Sequence, residues 1–167
     1  MSSPQLYMVC GKIAAGKSTL TRQLAGKPQA VVLSEDTLLS QLYPGDIRSI
    51  PDYVRCAGRL RTALAPHIES LLRAGMVVVL DFPANTPDSR RWMKQLIDET
   101  GVAHELHFLD VPDEICKARL RQRNASGEHA FAPTDAEFDE ITRHFVAPTE
   151  AEGFHVVRHS VAEPALG

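Results

Sequence analysis

The chain has 167 residues, 44% of them hydrophobic and 23% charged, with a formal net charge of −3. That is enough chain for one well-formed core, and the composition excludes a disordered or low-complexity polymer. The mild acidity excludes a broad basic footprint for nucleic acid or for an anionic membrane.

Residues 1–5 carry no charged region, and a strand begins almost at once, so no signal peptide is expected. Leu6 to Cys10 is a short apolar run ending at Gly11, too short for a helix and bounded like a buried strand. Thr19 to Ala25 suits a helix that stops at Gly26 with Pro28 beyond. Ala30 to Leu33 is a second strand running out into Ser34-Glu35-Asp36. From Pro51 to Ala74, apolar residues recur in helical steps at Val54, Ala57, Leu60, Leu64, Ile68, Leu71 and Leu72. Pro66 removes one ladder hydrogen bond, so a kink or a break into two helices is expected there.

Met76 to Leu80 is a third strand, ending at Asp81 and far too short to span a bilayer. Thr86-Pro87-Asp88 reads as a cap, a first-turn proline and an acidic first turn, for a helix to about Glu99. His104 to Leu109 is a fourth strand, stopping at Asp110, and Pro112 opens a helix to about Arg123. Asn124 to Pro133 reads as a loop. Thr134-Asp135-Ala136-Glu137 is a capping box leading into a helix through about Phe145, and His155 to Val157 is the last strand. Strands alternating with helices, several apolar throughout, predict a five-stranded parallel sheet covered on both faces, in one domain over 1–167. Cys10, Cys56 and Cys116 have neither disulfide nor zinc-ligand spacing and read as packed small hydrophobes. A cytoplasmic location is expected.

Gly11-Lys12-Ile13-Ala14-Ala15-Gly16-Lys17-Ser18 satisfies G-x-x-x-x-G-K-[ST] between a strand and a helix. Such a loop turns backbone N–H groups toward phosphate. That role falls to Gly11, Ala14, Ala15, Gly16, Lys17, Ser18 and Thr19, with close approach and unusual dihedrals expected at Gly11 and Gly16. Lys17 sets a cation against the β- and γ-phosphates, and the Ser18 hydroxyl is a ligand for Mg²⁺. Three carboxylates, Asp36, Asp81 and Asp110, end apolar strands, where open parallel sheets collect ligands. Each also suits an ordinary cap or turn.

The cradle, Leu33-Ser34-Glu35-Asp36, and Leu80-Asp81-Phe82-Pro83-Ala84-Asn85-Thr86 followed by Arg90-Arg91 resemble the small P-loop kinases. That group includes polynucleotide kinase, chloramphenicol phosphotransferase and zeta toxins. The resemblance is scattered over residues 6 to 150 and implies a three-layer α/β fold with ATP and Mg²⁺ as cofactors. It implies that Asp36 accepts the proton of an acceptor hydroxyl in a γ-phosphoryl transfer. Asp81 stands where a Walker-B carboxylate would, open to a metal or to a substrate. The resemblance further implies a lid around 119–134. Arg119 and Arg123, four apart and on one helix face, are its candidate arginines for stabilising the transferring group. Arg143 is a weaker candidate, and His129 falls in the expected lid. Arg55 and Arg59, also four apart, are candidates for an anionic acceptor, although a solvated face is their ordinary reading. Tyr43, Tyr53 and Trp92 are candidates to shape its pocket.

Competing classes fit less well. Asn85-Thr86-Pro87-Asp88 lacks the Lys of a guanine box, and no transporter-ATPase signature is present. A regulatory nucleotide-binding module would need Lys17 and Ser18 but no Asp36. A polynucleotide acceptor is disfavoured by the acidity and by the lack of interleaved basic and aromatic residues. The expected partners are a nucleoside triphosphate and a small-molecule acceptor, for a monomer or homodimer without membrane attachment.

Overall fold

The computed structural model describes residues 4–127 and 133–160. Its centre is β1 (Leu6–Gly11), every residue of which is buried. β3 (Val77–Asp81) flanks it on one side, aligning Leu6 with Val78, and β4 (His104–Asp110) on the other, aligning Leu6 with His104. β2 (Ala30–Ser34) and β5 (Val156–Ser160) close the edges, giving the order β2-β3-β1-β4-β5 with every pairing parallel. Burial follows position. β1 and β3 are apolar on both faces, whereas β5 alternates between exposed and half-buried residues, as an edge strand does.

Helices cover both faces: α1 (Lys17–Ala25), α2 (Glu35–Leu42), α3 (Ile50–Arg73), α4 (Pro87–Thr100), α5 (Asp113–Ser126) and α6 (Asp135–Thr142). Two cores result. Leu6, Met8, Leu60, Ile68, Leu80 and Met93 pack under α3 and α4, while Val9, Leu24, Val79, Cys116, Leu120 and Phe138 pack under α1, α5 and α6.

Several expectations are corrected. α2 was not foreseen, although Ser34 caps it by accepting from the Thr37 N–H. α3 runs unbroken through Pro66. Val54 is exposed rather than packed. α6 ends at Thr142, three residues early, and a 3-10 turn (Glu150–Glu152) precedes β5. The predicted cap at Thr86 and the predicted capping box at Thr134 both form, and Thr86 is also a full box, with Ser89 and Glu137 as the reciprocal partners.

Candidate functional site

The turn from β1 into α1 has the shape its residues predict, with one exchange of roles. Gly16 caps the helix at φ 106°, and Ala14 is the second left-handed residue, at φ 63°. Gly11 has an ordinary strand conformation. Its requirement is space, because a Cβ there would stand 3.2 Å from that of Leu109 and 3.3 Å from that of Ala15. No side chain caps α1 and no acid lies in its first turn, so its leading N–H groups and the positive end of its dipole stay free for an anion. The loop is fixed from outside: the Gly11 N–H donates to Asn85 Oδ1 at 3.0 Å, and Lys12 pairs with Asp113 at 2.6 Å.

Above the turn lies a cavity of about 770 Å3 lined by Gly16, Lys17, Ser18, Thr19, Arg119 and Arg123, among others. Burial draws the Lys17 ammonium below its ordinary pKa, opposed by the negative charges of Asp81 and Asp36. Arg119 donates to the Ala15 carbonyl at 3.3 Å, so it reaches the cradle from α5. The Nε of Arg123 is buried without a partner among the described residues. Such an N–H is costly unless a ligand completes it.

A second, smaller cavity of about 350 Å3 opens beside the first turn of α2, lined by Asp36, Ser40, Tyr43, Ile47 and Tyr53 among others. Adjacent acids have opposite fates there. Asp36 is exposed to the cavity, while Glu35 is 1% exposed and held by the Tyr53 hydroxyl and by Arg61 at 3.2 Å. Burial pushes the Glu35 carboxyl up, and these two partners only partly offset it. Arg61 in turn lies over the Trp92 ring, 5.7 Å from its centroid. Asp81 is half-buried and aligned across the sheet with Ser34, the residue that caps α2, so the two strand ends meet at one place.

Arg119, Arg123, Asp36 and Asp81 therefore surround Lys17 or its cavity. Other candidates fall elsewhere. Arg55 and Arg59 lie on the exposed side of α3 and line neither cavity, and Arg55 pairs with Asp52 at 3.3 Å. Asp110 turns to the other side of β4 and binds Arg158. Arg143 pairs with Glu140 at 2.7 Å on the surface. His129 and part of the expected lid lie outside the described residues. Arg90 is not a surface cation. Completely buried, it donates to Glu152 at 2.8 Å and to the carbonyls of Ala84 at 2.9 Å and Val146 at 2.7 Å. The residues that sequence reasoning missed are Glu35, Arg61 and His159. Glu35 was read only as the neighbour of Asp36, Arg61 carried no motif, and His159 reaches the cradle cavity only through sheet order.

A parallel sheet with its glycine-rich turn at a helix N-terminus, carboxylates at neighbouring strand ends and a lysine between them defines a P-loop nucleotide-binding protein. The model of the AAA_33 family, an AAA domain, matches residues 6–148, and the chain belongs to that family. No curated protein matches it. Among solved structures, it is similar to a candidate kinase from Chloroflexus aurantiacus at 20% identity and a TM-score of 0.69, covering 96% of this chain and 86% of the other. It is also similar to a gluconokinase from Sinorhizobium meliloti at 16% identity and a TM-score of 0.65, covering 98% and 86%. The APS kinase of Mycobacterium tuberculosis, solved with AMPPNP and APS, matches at 20% identity and a TM-score of 0.61, covering 100% and 92%. At these identities the likeness is one of fold.

Proposed function

We propose that this protein is a kinase that transfers the γ-phosphoryl group of Mg-ATP to a hydroxyl of a small-molecule acceptor. The observation that carries the reading is the field around Lys17. One ammonium at the phosphate cradle interacts with both Asp81 and Asp36, and Asp36 opens onto a separate cavity. A site that only held or hydrolysed nucleotide has no use for that second cavity. The names of similar folds, gluconokinase and APS kinase, support a small acceptor.

In this reading Gly16 to Thr19 present N–H groups to the β- and γ-phosphates, with Lys17 between them. Asp36 orients the acceptor hydroxyl in line and takes its proton. Arg119 and Arg123 neutralise charge developing on the transferred group. No cluster of three or more metal-ligating side chains exists among the described residues, which suits a cation held by one or two protein groups plus phosphates and water. The Ser18 hydroxyl and the Asp81 carboxylate would hold Mg²⁺, whose charge would offset that of the phosphates. Arg55 and Arg59 are assigned no contact with the acceptor.

A panel of hydroxyl metabolites incubated with γ-labelled ATP and Mg²⁺ tests the proposal. Label on an acceptor is the expected outcome. Tight nucleotide binding with no labelled acceptor across sugars, polyols, nucleosides and antibiotics would instead favour a regulatory module.

A further inference from the structure

The cavity that holds the cradle is also lined by His159, near the end of β5 and aligned through Leu109 with Gly11. β5 lies two strands from β1, and strands lie about 4.8 Å apart, so His159 stands roughly 10 Å across the sheet from the cradle. That is where the base, rather than the phosphates, of a nucleotide anchored at Lys17 would extend. The sheet register puts Glu105 and His107 on one face of β4, with His159 reaching the same face from β5.

These three side chains form a line. His107 is 7% exposed; its Nε2 lies 3.1 Å from Glu105 Oε1 and its Nδ1 lies 2.8 Å from His159 Nε2. The two rings are nearly parallel, at 20°, with centroids 5.0 Å apart, which is the geometry of a bond lying in both ring planes. A carboxylate only accepts, so His107 Nε2 carries the proton and donates to Glu105. Burial lowers the His107 pKa, partly countered by Glu105, and Tyr7 at 6.0 Å and the Lys27 charge also face the ring. A neutral His107 then has its lone pair on Nδ1 and accepts from His159 Nε2–H. The remaining nitrogen of a neutral His159, Nδ1, is left as an acceptor with no partner among the described residues. Arg22, Arg119 and Arg123, which line the same cavity, supply donors only.

We infer that His159 selects the donor base, its Nδ1 accepting a hydrogen bond from the 6-amino group of adenine and presenting no donor to the 6-oxo group of guanine. His107 and Glu105 are positioning residues that fix the tautomer, as a second partner fixes the tautomer of a working histidine. The inference rests on the donor-site reading above. It adds a chemical reason for ATP over GTP.

Equilibrium binding at pH 8 tests it with ATP, ITP, GTP and inorganic tripolyphosphate on the wild type, His159→Ala and His107→Phe. Wild type should bind ATP about tenfold more tightly than ITP or GTP, one hydrogen bond made against two acceptors opposed. Both variants should bring the three nucleotides within about twofold of one another. Tripolyphosphate reaches only the cradle and reports its integrity in each variant. A lost tripolyphosphate affinity would make the histidines structural and overturn the assignment. Unchanged discrimination in His159→Ala would overturn it too. If 2′- or 3′-deoxy-ATP binds weakly to wild type and normally to His159→Ala, the ribose is the donor and the adenine assignment falls. Failure of every phosphate ligand to bind the wild type would remove the donor-site reading and the inference together, whereas binding without discrimination removes the inference alone.

Discussion

A half-buried cation and a buried anion follow strands two places apart in the sheet, with opposite consequences for pH. Lys17 is drawn below its ordinary pKa mainly by burial, so the unfolded chain binds more protons above the folded value and stability rises with pH in that window. At neutral pH the charge is a cost to the apo fold. Lys17→Met should therefore melt at or above the wild-type temperature without ligand, yet gain nothing from ATP, where the wild type gains about 2.7 kcal/mol at a hundred times Kd. Differential scanning fluorimetry with and without nucleotide reads both. Glu35 is raised by burial, so the folded state binds more protons and stability falls as pH climbs above the ordinary carboxyl value. Glu35→Gln should flatten that fall, its advantage over wild type in urea titrations growing from pH 4.5 upward. Asp36→Asn should keep ATP affinity and lower transfer by a factor of about 10²–10⁴ in kinetic assays, the range for a lost general base. The turn that presents Lys17 and Ser18 was legible because its shape depends on an unbroken stretch of chain. Glu35 was not. Its burial depends on Tyr53 and Arg61 arriving from α3, and nothing in Ser34-Glu35-Asp36 says which acid turns inward.

At the scale of elements, the cradle depends on a loop remote in sequence. Asn85 follows β3 and gives its Oδ1 to the Gly11 N–H, while its own carbonyl receives the Val146 N–H at 2.9 Å. Asn85→Ala strands a partly buried N–H and should cost about 1–3 kcal/mol in chemical denaturation. Nucleotide affinity should fall with it, while Asn85→Asp, which retains the acceptor, should restore most of it. The central strands and α4 were readable from apolar runs and caps. α2 was hidden because eight residues with a weak apolar face look like the exit of a strand, and Ser34 serves as both the last strand residue and the cap. The unbroken α3 shows the limit of the proline rule. Neighbouring packing of Ile68 and Leu72 holds the helix across the missing bond.

For the molecule as a whole, the three thiols lie free and buried in the two cores, and burial pushes Cys10 up to about 11. Alkylation by iodoacetamide at pH 8 should therefore proceed only through opening of the core, and saturating nucleotide should slow it in proportion to the added stability. A fast-labelling thiol without nucleotide would contradict the packing. The parallel sheet and the cradle were recoverable from local patterns in the sequence, and the kinase-like fold from the resemblance those patterns carry. The division of the site into two cavities was not, since it follows from how α2 and α3 lean on the sheet.

Arg90 carries a consequence in time as well as in space. Its guanidinium joins the Ala84 carbonyl to Val146, Ala147 and Glu152, and the adjoining Asn85 holds the cradle. Burial alone would raise the Glu152 carboxyl, but the bonds from Arg90 and Thr149 outweigh it and keep it ionised. During synthesis the glycine-rich turn leaves the ribosome well before Val146, Ala147 and Glu152, the residues that satisfy Arg90. The nascent chain thus carries its phosphate loop without the clasp that sets it until the segment from Val146 to Glu152 has emerged, and competence to grip a nucleotide waits for that segment.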